Sequence, residues 1–310
     1  MKNSMIDVIN AEKVFFETAP DDLQKRLSSM EIIQKYVNDV TPSVYESFYL
    51  PGCSHEPGKV EEFYHNSPLF HFYDHAFEKV LNGVKTETVA ENEVAIWYLY
   101  NMGCVIKTSK HCFGIDIHHR RSEELVPYLE FVMVTHNHRD HSTLKLLQAM
   151  LKEKKMIYSN FFPSLGGYSK EPFRKLEFDD LTIYAHESDH NPSLQKFVMP
   201  FEIVCGKGEN ACVIFHSGDS HRAEQLKPVS DHVDFHIVHP FVGLKVVDAA
   251  TQTVKGETTV IAHLLELHHE WNHWRWTYKD GIAALEQVIA AGKNAILPVW
   301  GDKILWKEKK

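Results

Sequence analysis

Residues 135–141 read THNHRDH, directly after the apolar run LEFVMV and directly before STLKLLQAMLKEKK. The apolar run has strand length. The segment after the heptapeptide repeats apolar residues at helical spacing behind Ser142 or Thr143, either of which can cap a first turn. The heptapeptide is therefore expected to form a strand-to-helix turn. Polar groups seldom collect uncompensated at the end of a buried strand, because each desolvated group costs energy. His136 and His138 are two apart, which puts both imidazoles on one side of an extended segment. Asp140 and His141 follow on the turn and can face a second centre. Imidazole and carboxylate at this density suit a borderline-soft divalent cation, zinc first, with manganese and iron accepting the same ligands.

Composition narrows the setting. The 21 histidines are scattered through 310 residues, so no single tract or tag explains them. A formal net charge of -9 and the lack of a Lys/Arg stripe beyond the tail KEKK argue against nucleic acid as a partner. No stretch reaches the roughly 18 to 20 apolar residues needed to span a bilayer. The segment MKNSMIDVINAEKVFF lacks the apolar h-region of a secretory signal. The five cysteines, Cys53, Cys104, Cys112, Cys205 and Cys212, form no CxxC pair. They read as reduced thiols, and the expected location is the cytoplasm.

The chain changes texture near residue 89. Residues 1–88 read as a helical extension. PDDLQKRLSSMEIIQKYVND has a helical period behind Asp21 or Asp22, and SPLFHFYDHAFEKVLNG is a second helix that Gly83 should end. YLPGCSHEPGK between them reads as a loop. His65, His71 and His75 have no partner acid at useful spacing. The extension is expected to be a rim of the pocket or an oligomer contact. Residues 89–310 read as one domain in which short strands come first and then alternate with helices. VAIWYLY, CVIKTS, CFGIDIH, MIYSN, LTIYAH, ACVIFHSGD, VDFHIVHPF and NAILPVW join LEFVMVTH as strands. That order implies an α/β arrangement of sheets covered by helices.

The pattern HxHxDH after an apolar strand resembles the metallo-β-lactamase superfamily over roughly residues 90–305. The resemblance implies a four-layered αβ/βα sandwich with two divalent metal ions at one edge. It implies a single histidine some fifty residues on, at His190 in ESDHNPS, with His186 as the alternative. It implies a bridging aspartate at Asp219 in FHSGDSH, a stretch that looks like the ascorbate-6-phosphate lactonase branch. Asp116 in FGIDIHH would orient a ligand from behind. The chain departs from the family at the last ligand, normally a histidine after the final strand. Here Val299 and Trp300 stand in AILPVWGDKI, and neither can ligate a metal. The long segment VIAHLLELHHEWNHWRW supplies other histidines. His263 is the first choice as replacement, at the start of a short helix with Glu266 bonding its other ring nitrogen. His268 and His239 follow as substrate-facing or replacement residues. Trp271, Trp274 and Trp276 either wall the pocket or pack the insertion.

The chemistry follows from the donor set. His136, His138 and His190 would leave an open position at one ion, where water is acidified to near 7. Asp140, His141 and His263 would hold the second ion, with Asp219 bridging. Asp140 would also orient the water or pass its proton on. The expected function is a metal-dependent hydrolase acting on a small polar substrate, a lactone or a phosphodiester. The Trp300-Gly301 pair, shared with the family's phospholipid branch, keeps the second open. The alternatives are a non-catalytic metal-binding module and the family's di-iron oxidoreductase branch. That branch carries a glutamate in place of the second histidine and a flavin domain, whereas this chain has His138 and no flavodoxin-like region.

Overall fold

The computed structural model describes residues 2–49, 56–162, 167–268 and 275–308. Cys53, His269, Trp271, His273 and Trp274 lie outside the described residues. Among the described residues five α-helices come first: α1 (Lys2–Glu17), α2 (Leu23–Ile33), α3 (Pro42–Tyr49), α4 (Pro57–Asn66) and α5 (Leu69–Thr86). Asp22 caps α2 by accepting from the Lys25 amide. Two expectations are corrected here. The end of the supposed loop, from Pro57, is the start of helix α4, which begins on proline because that position needs no amide donor. Gly83 does not end α5, which runs on to Thr86. A Cβ at Gly83 would meet Trp97 Nε1 at 2.4 Å, so this glycine lets the helix lie close against the sheet.

Two seven-stranded sheets follow among the described residues. The first contains β1 (Glu93–Tyr98), β2 (Cys104–Lys107), β3 (Cys112–Ile115), β4 (Phe131–Met133), β5 (Met156–Ser159) and β6 (Gly167–Tyr168). Its other edge is β14 (Lys303–Lys307), which returns antiparallel to β1. The second runs β13-β12-β11-β10-β9-β8-β7. These strands are β7 (Arg174–Glu177), β8 (Leu181–Ala185), β9 (Phe201–Cys205), β10 (Cys212–His216), β11 (Phe235–Val238), β12 (Thr258–Ile261) and β13 (Asn294–Ile296). Helices α6 (Leu144–Lys152) and α7 (Tyr278–Ala290) fall between strands.

The two-residue period of β1 explains the layering. Val94, Ile96 and Tyr98 face the second sheet and share one core with Ile183, Ile203 and Ile214. Ala95, Trp97 and Leu99 face the other way, onto Phe77 and Val80 of α5 and Leu146 and Met150 of α6. Helix α7 covers the second sheet through Ile282, Leu285 and Val288. The order is helix, sheet, sheet, helix.

The N-terminal helices share this core instead of standing apart from it. Phe15, Met30, Phe48, Phe72 and Tyr73 belong to the same buried cluster as the inter-sheet residues. Buried Arg26 makes a bidentate pair with Asp302, at 2.7 and 2.6 Å. His71 and His75 do have a partner acid. Buried Glu12 lies 2.9 and 3.2 Å from their Nδ1 atoms, a pairing across helices that sequence spacing could not show. Cys104, Cys112, Cys205 and Cys212 are free and buried. Among the described residues no helix is long and apolar enough to cross a membrane.

Candidate metal centre

Four loops at one edge of the sandwich meet here. The first leaves β4. Thr143 caps α6 by accepting from the Leu146 amide, and Arg139–His141 form a tight helical turn before it. The turn is anchored from behind by Asp116, at the end of β3, whose φ is +48°. Asp116 Oδ1 accepts from the Thr135 amide at 2.8 Å, and Oδ2 accepts from the Thr135 hydroxyl at 2.7 Å. Oδ2 also accepts a hydrogen bond from His141 Nδ1 at 2.8 Å, which leaves Nε2 pointing into the cluster.

The second loop, after β8, carries His190. It is pinned by Asp189, which accepts from the Lys196 amide at 2.9 Å, and by the bridge between Ser188 and Val198. The alternative His186 is turned away, with Nε2 3.7 Å from Glu202 and its ring beside Phe215. The third loop, after β10, carries Asp219. Gly218 there has φ +53°, and a Cβ on it would meet the Thr135 Cβ at 2.9 Å. Only glycine allows the Asp219 loop to close against the histidine loop.

The fourth loop, after β12, brings in His263 at φ +67°. Its amide donates to the Tyr98 hydroxyl at 2.9 Å and faces the Asn101 carbonyl at 3.2 Å. This backbone is irregular, so the expected short helix is absent at His263. Glu266 bonds the Tyr100 hydroxyl at 2.8 Å, and His263 Nδ1 has no hydrogen-bond partner among the described residues. The Glu266 support for that ring is thus corrected. His239, ending β11, stacks flat on His263 with ring centroids 3.8 Å apart. His268 is turned toward the N-terminal helices, edge-on to Tyr45 at 5.7 Å.

The distances decide what the cluster is built for. Asp219 Oδ2 stands 3.8 Å from His136 Nε2, 3.3 Å from His141 Nε2, 3.7 Å from His190 Nε2 and 3.6 Å from His263 Nε2. Asp140 Oδ2 stands 3.4 Å from His141 Nε2 and 3.3 Å from His263 Nε2. Hydrogen bonds of these types are about 2.7 to 3.2 Å. Donors held about 2.0 to 2.2 Å from one tetrahedral ion stand about 3.3 to 3.6 Å from each other. Two overlapping groups result, His136, His138, His190 and Asp219, and Asp140, His141, His263 and Asp219. His141 Nε2, His263 Nε2 and Asp219 Oδ1 are buried with no hydrogen-bond partner among the described residues, a cost that a bound cation removes.

Electrostatics agrees. Burial alone would lower the His141 pKa, but Asp219, Asp140 and Asp116 push it well above the usual value. Burial alone would raise Asp140 and Asp219, yet His141 holds both well below the carboxylate range. Burial lowers His136 well below its usual value and His138 to about 4, which keeps those rings neutral and able to ligate. The site calls for positive charge among Asp116, Asp140 and Asp219, and for neutral imidazoles on the other side.

Asn101 went unnoticed in the sequence. Its side chain donates to Asp140 Oδ2 at 2.8 Å from a buried position with φ +53°. In YNMG it reads only as a turn residue.

No protein-family model matches the sequence, and no curated protein is similar to it. Solved structures do match. Igni18, a metallo hydrolase from Ignicoccus hospitalis, is 14% identical, covering 70% of this chain and 100% of its own, with a TM-score of 0.53. YhfI from Bacillus subtilis, a metallo-β-lactamase fold protein, is 13% identical, covering 69% and 99%, with a TM-score of 0.51. This chain has the metallo-β-lactamase fold. CmlA, a diiron β-hydroxylase from Streptomyces venezuelae, is 11% identical with a TM-score of 0.53, covering 71% of this chain and 55% of its own. The loop after β13, where the resemblance would put the last histidine, is packed inward in this chain. Val299 and Trp300 are buried, Trp300 stacks on Phe72, and Asp302 accepts from the Val299 amide while holding Arg26.

Proposed function

We propose that this protein is a metal-dependent hydrolase that holds two divalent ions, zinc first, and cleaves a small polar substrate, a lactone or a phosphodiester. The observation that carries the reading is Asp219 Oδ2, placed at ligand-type distances from four imidazole nitrogens. His136, His138 and His190 would hold one ion, Asp140, His141 and His263 the other, and Asp219 both. Bound ions would supply Lewis acidity and bring the pKa of water from about 15.7 to near 7. Asn101 fixes the Asp140 carboxylate, which is then set to orient the attacking water and pass its proton to the leaving group. His138 and His190 keep some exposure while His136, His141 and His263 are buried, so substrate arrives on the His138 and His190 side. His239, stacked on His263, and His268, edge-on to Tyr45, are the further histidines proposed to act behind the donors or on the substrate. A cytoplasmic setting is supported by the buried free thiols.

The test pairs metal content with turnover. The purified protein is loaded with zinc or manganese and assayed on lactone, phosphodiester and carboxylate-ester panels, before and after chelation. Turnover should vanish on chelation and return on re-addition. Asp219→Asn should stay folded, lose at least a hundredfold in rate and bind both ions more weakly. Parental turnover in that variant would overturn the reading. Full metal loading with no turnover on any panel would favour the binding module, and oxygen-dependent hydroxylation by an iron-loaded protein the di-iron alternative.

A further inference from the structure

The N-terminal helices bear on both loops that carry the Asp140, His141 and His263 group. Tyr45 of α3 is buried, and its hydroxyl pairs with His118 Nε2. His118 Nδ1 in turn reaches the Ser142 carbonyl at 3.1 Å, one residue past His141. A carbonyl only accepts, so Nδ1 carries the ring proton and Nε2 is the acceptor that faces the Tyr45 hydroxyl, which also stands 2.7 Å from the Tyr49 hydroxyl. The next residue, Glu46, takes Arg139 Nη1 at 2.5 Å, from inside the HNHRDH turn.

The same helix meets the His263 loop. The Tyr45 ring stands edge-on to His268 and stacked beside Tyr100 at 6.4 Å. Tyr100 accepts the Leu267 amide at 2.6 Å and pairs with Glu266. Buried Arg275 ties the loop to the segment just before α3. It donates to the carbonyls of Val37 and Val40, both at 2.5 Å, and of Leu267 at 3.0 Å. Arg26 and Asp302 meanwhile hold the loop where the fold's last ligand would otherwise come from.

We infer that helix α3 is part of the metal centre, with Tyr45 as a positioning residue for the ion held by Asp140, His141 and His263. This rests on the two-ion reading above. The physical reason is geometric. A site whose donors come from two loops needs both loops fixed to within about half an ångström. The resemblance would put the last ligand just after the final strand. Here its replacement sits on an irregular loop with positive φ at His263 and Leu265, and α3 supplies the missing rigidity. The group with His136, His138 and His190 is tied also through Thr135 and the Asp189 loop and meets α3 only beside His138, at Arg139, so it depends on α3 less.

The experiment uses the full chain and zinc alone, titrated against a chromophoric chelator to resolve two dissociation constants. Tyr45→Phe keeps the ring and removes the hydroxyl. It should weaken the site that His263→Ala abolishes by tenfold or more, and leave the other within threefold. Glu46→Gln, at an exposed position, should weaken the same site about threefold. A purely structural role would weaken both sites alike, so the ratio of the two constants is the readout. Equal weakening, or no change in either variant, overturns the inference and leaves the two-ion reading standing. A parent that binds a single ion overturns both.

Discussion

Asp116→Asn tests the support behind the metal centre. The three groups that meet Asp116 all present hydrogens to it: the Thr135 amide, the Thr135 hydroxyl and His141 Nδ1. Asparagine offers one acceptor oxygen and one NH2. If the oxygen faces the Thr135 amide, the NH2 faces His141 Nδ1 and forces the proton onto Nε2, the nitrogen aimed at the cluster. If the amide is flipped, the NH2 meets the backbone N–H of Thr135. Either way a charge-assisted bond is lost, to the wrong histidine tautomer in one orientation and to a donor–donor contact in the other, at about 1.5 to 3 kcal/mol. Outer carboxylates behind metal-bound histidines are generally worth about 10- to 100-fold in affinity, about 1.4 to 2.7 kcal/mol. The two routes agree. A chelator-competition titration at pH 7.5 should show the His141 site weakened about 10- to 100-fold. The other site should change less, because His136 touches Asp116 only through the Thr135 hydroxyl. Circular dichroism should show a folded variant. Parental affinity at both sites in a folded Asp116→Asn protein would refute the tautomer argument.

Three more predictions follow from particular contacts. His263→Ala should drop zinc stoichiometry from two to one per chain by elemental analysis, while His239→Ala and His268→Ala keep two; equal retention in all three would place the fourth ligand elsewhere. Gly83→Ala should destabilise by about 1 to 3 kcal/mol in urea, against the usual helical gain from alanine, because its Cβ meets Trp97; a higher urea midpoint would show that the helix can shift. Burial holds His118 and His119 at about 4, below the ordinary 6.5, so the unfolded chain binds protons first as pH falls. Stability of the chelated protein should therefore drop between pH 6.5 and 4, by up to roughly 3 kcal/mol for each ring. A urea midpoint that stays flat over that range would contradict their buried, neutral state.

What could be read from the sequence depended on how local the physics was. THNHRDH carries four close donors in seven residues, so its cluster needs no tertiary knowledge, and ESDHNPS and FHSGDSH are turns of the same kind. Central strands such as ACVIFH were legible because both faces are buried. Strands β7 and β14 were not: RKLE and KILWK lie at sheet edges, where lysine guards against further pairing and breaks the apolar pattern. Strand β9 hid behind Glu202, whose buried carboxylate accepts the Val229 and Ser230 amides and so carries no hint of burial in its residue type. Asn101 and Glu12 were silent for a related reason, since each matters only through a partner distant in sequence, at Asp140 and at His71.

The order of His263 over His268 and His239 was a matter of reach, and reach is set by backbone that composition does not reveal. His239 and His263 sit just past strand ends, and His268 lies further along the loop after β12. His239 leaves β11 in extended backbone and ends up stacked over its neighbour. His263 enters the cluster because its φ is +67°, a conformation that costs about 1 to 3 kcal/mol in a residue with a Cβ. That strain persists only if the surroundings over-determine it. Here Tyr98 and Asn101 meet its amide, and Arg275 anchors the following turn at Leu267. Trp300, in place of the fold's usual last ligand, fills the core beneath Phe72 and Tyr73 of α5. Arg26 of α2 and Phe72 of α5 hold the loop after β13 inward, and the loop after β12 brings His263 beside Asp140 at the edge of the sandwich.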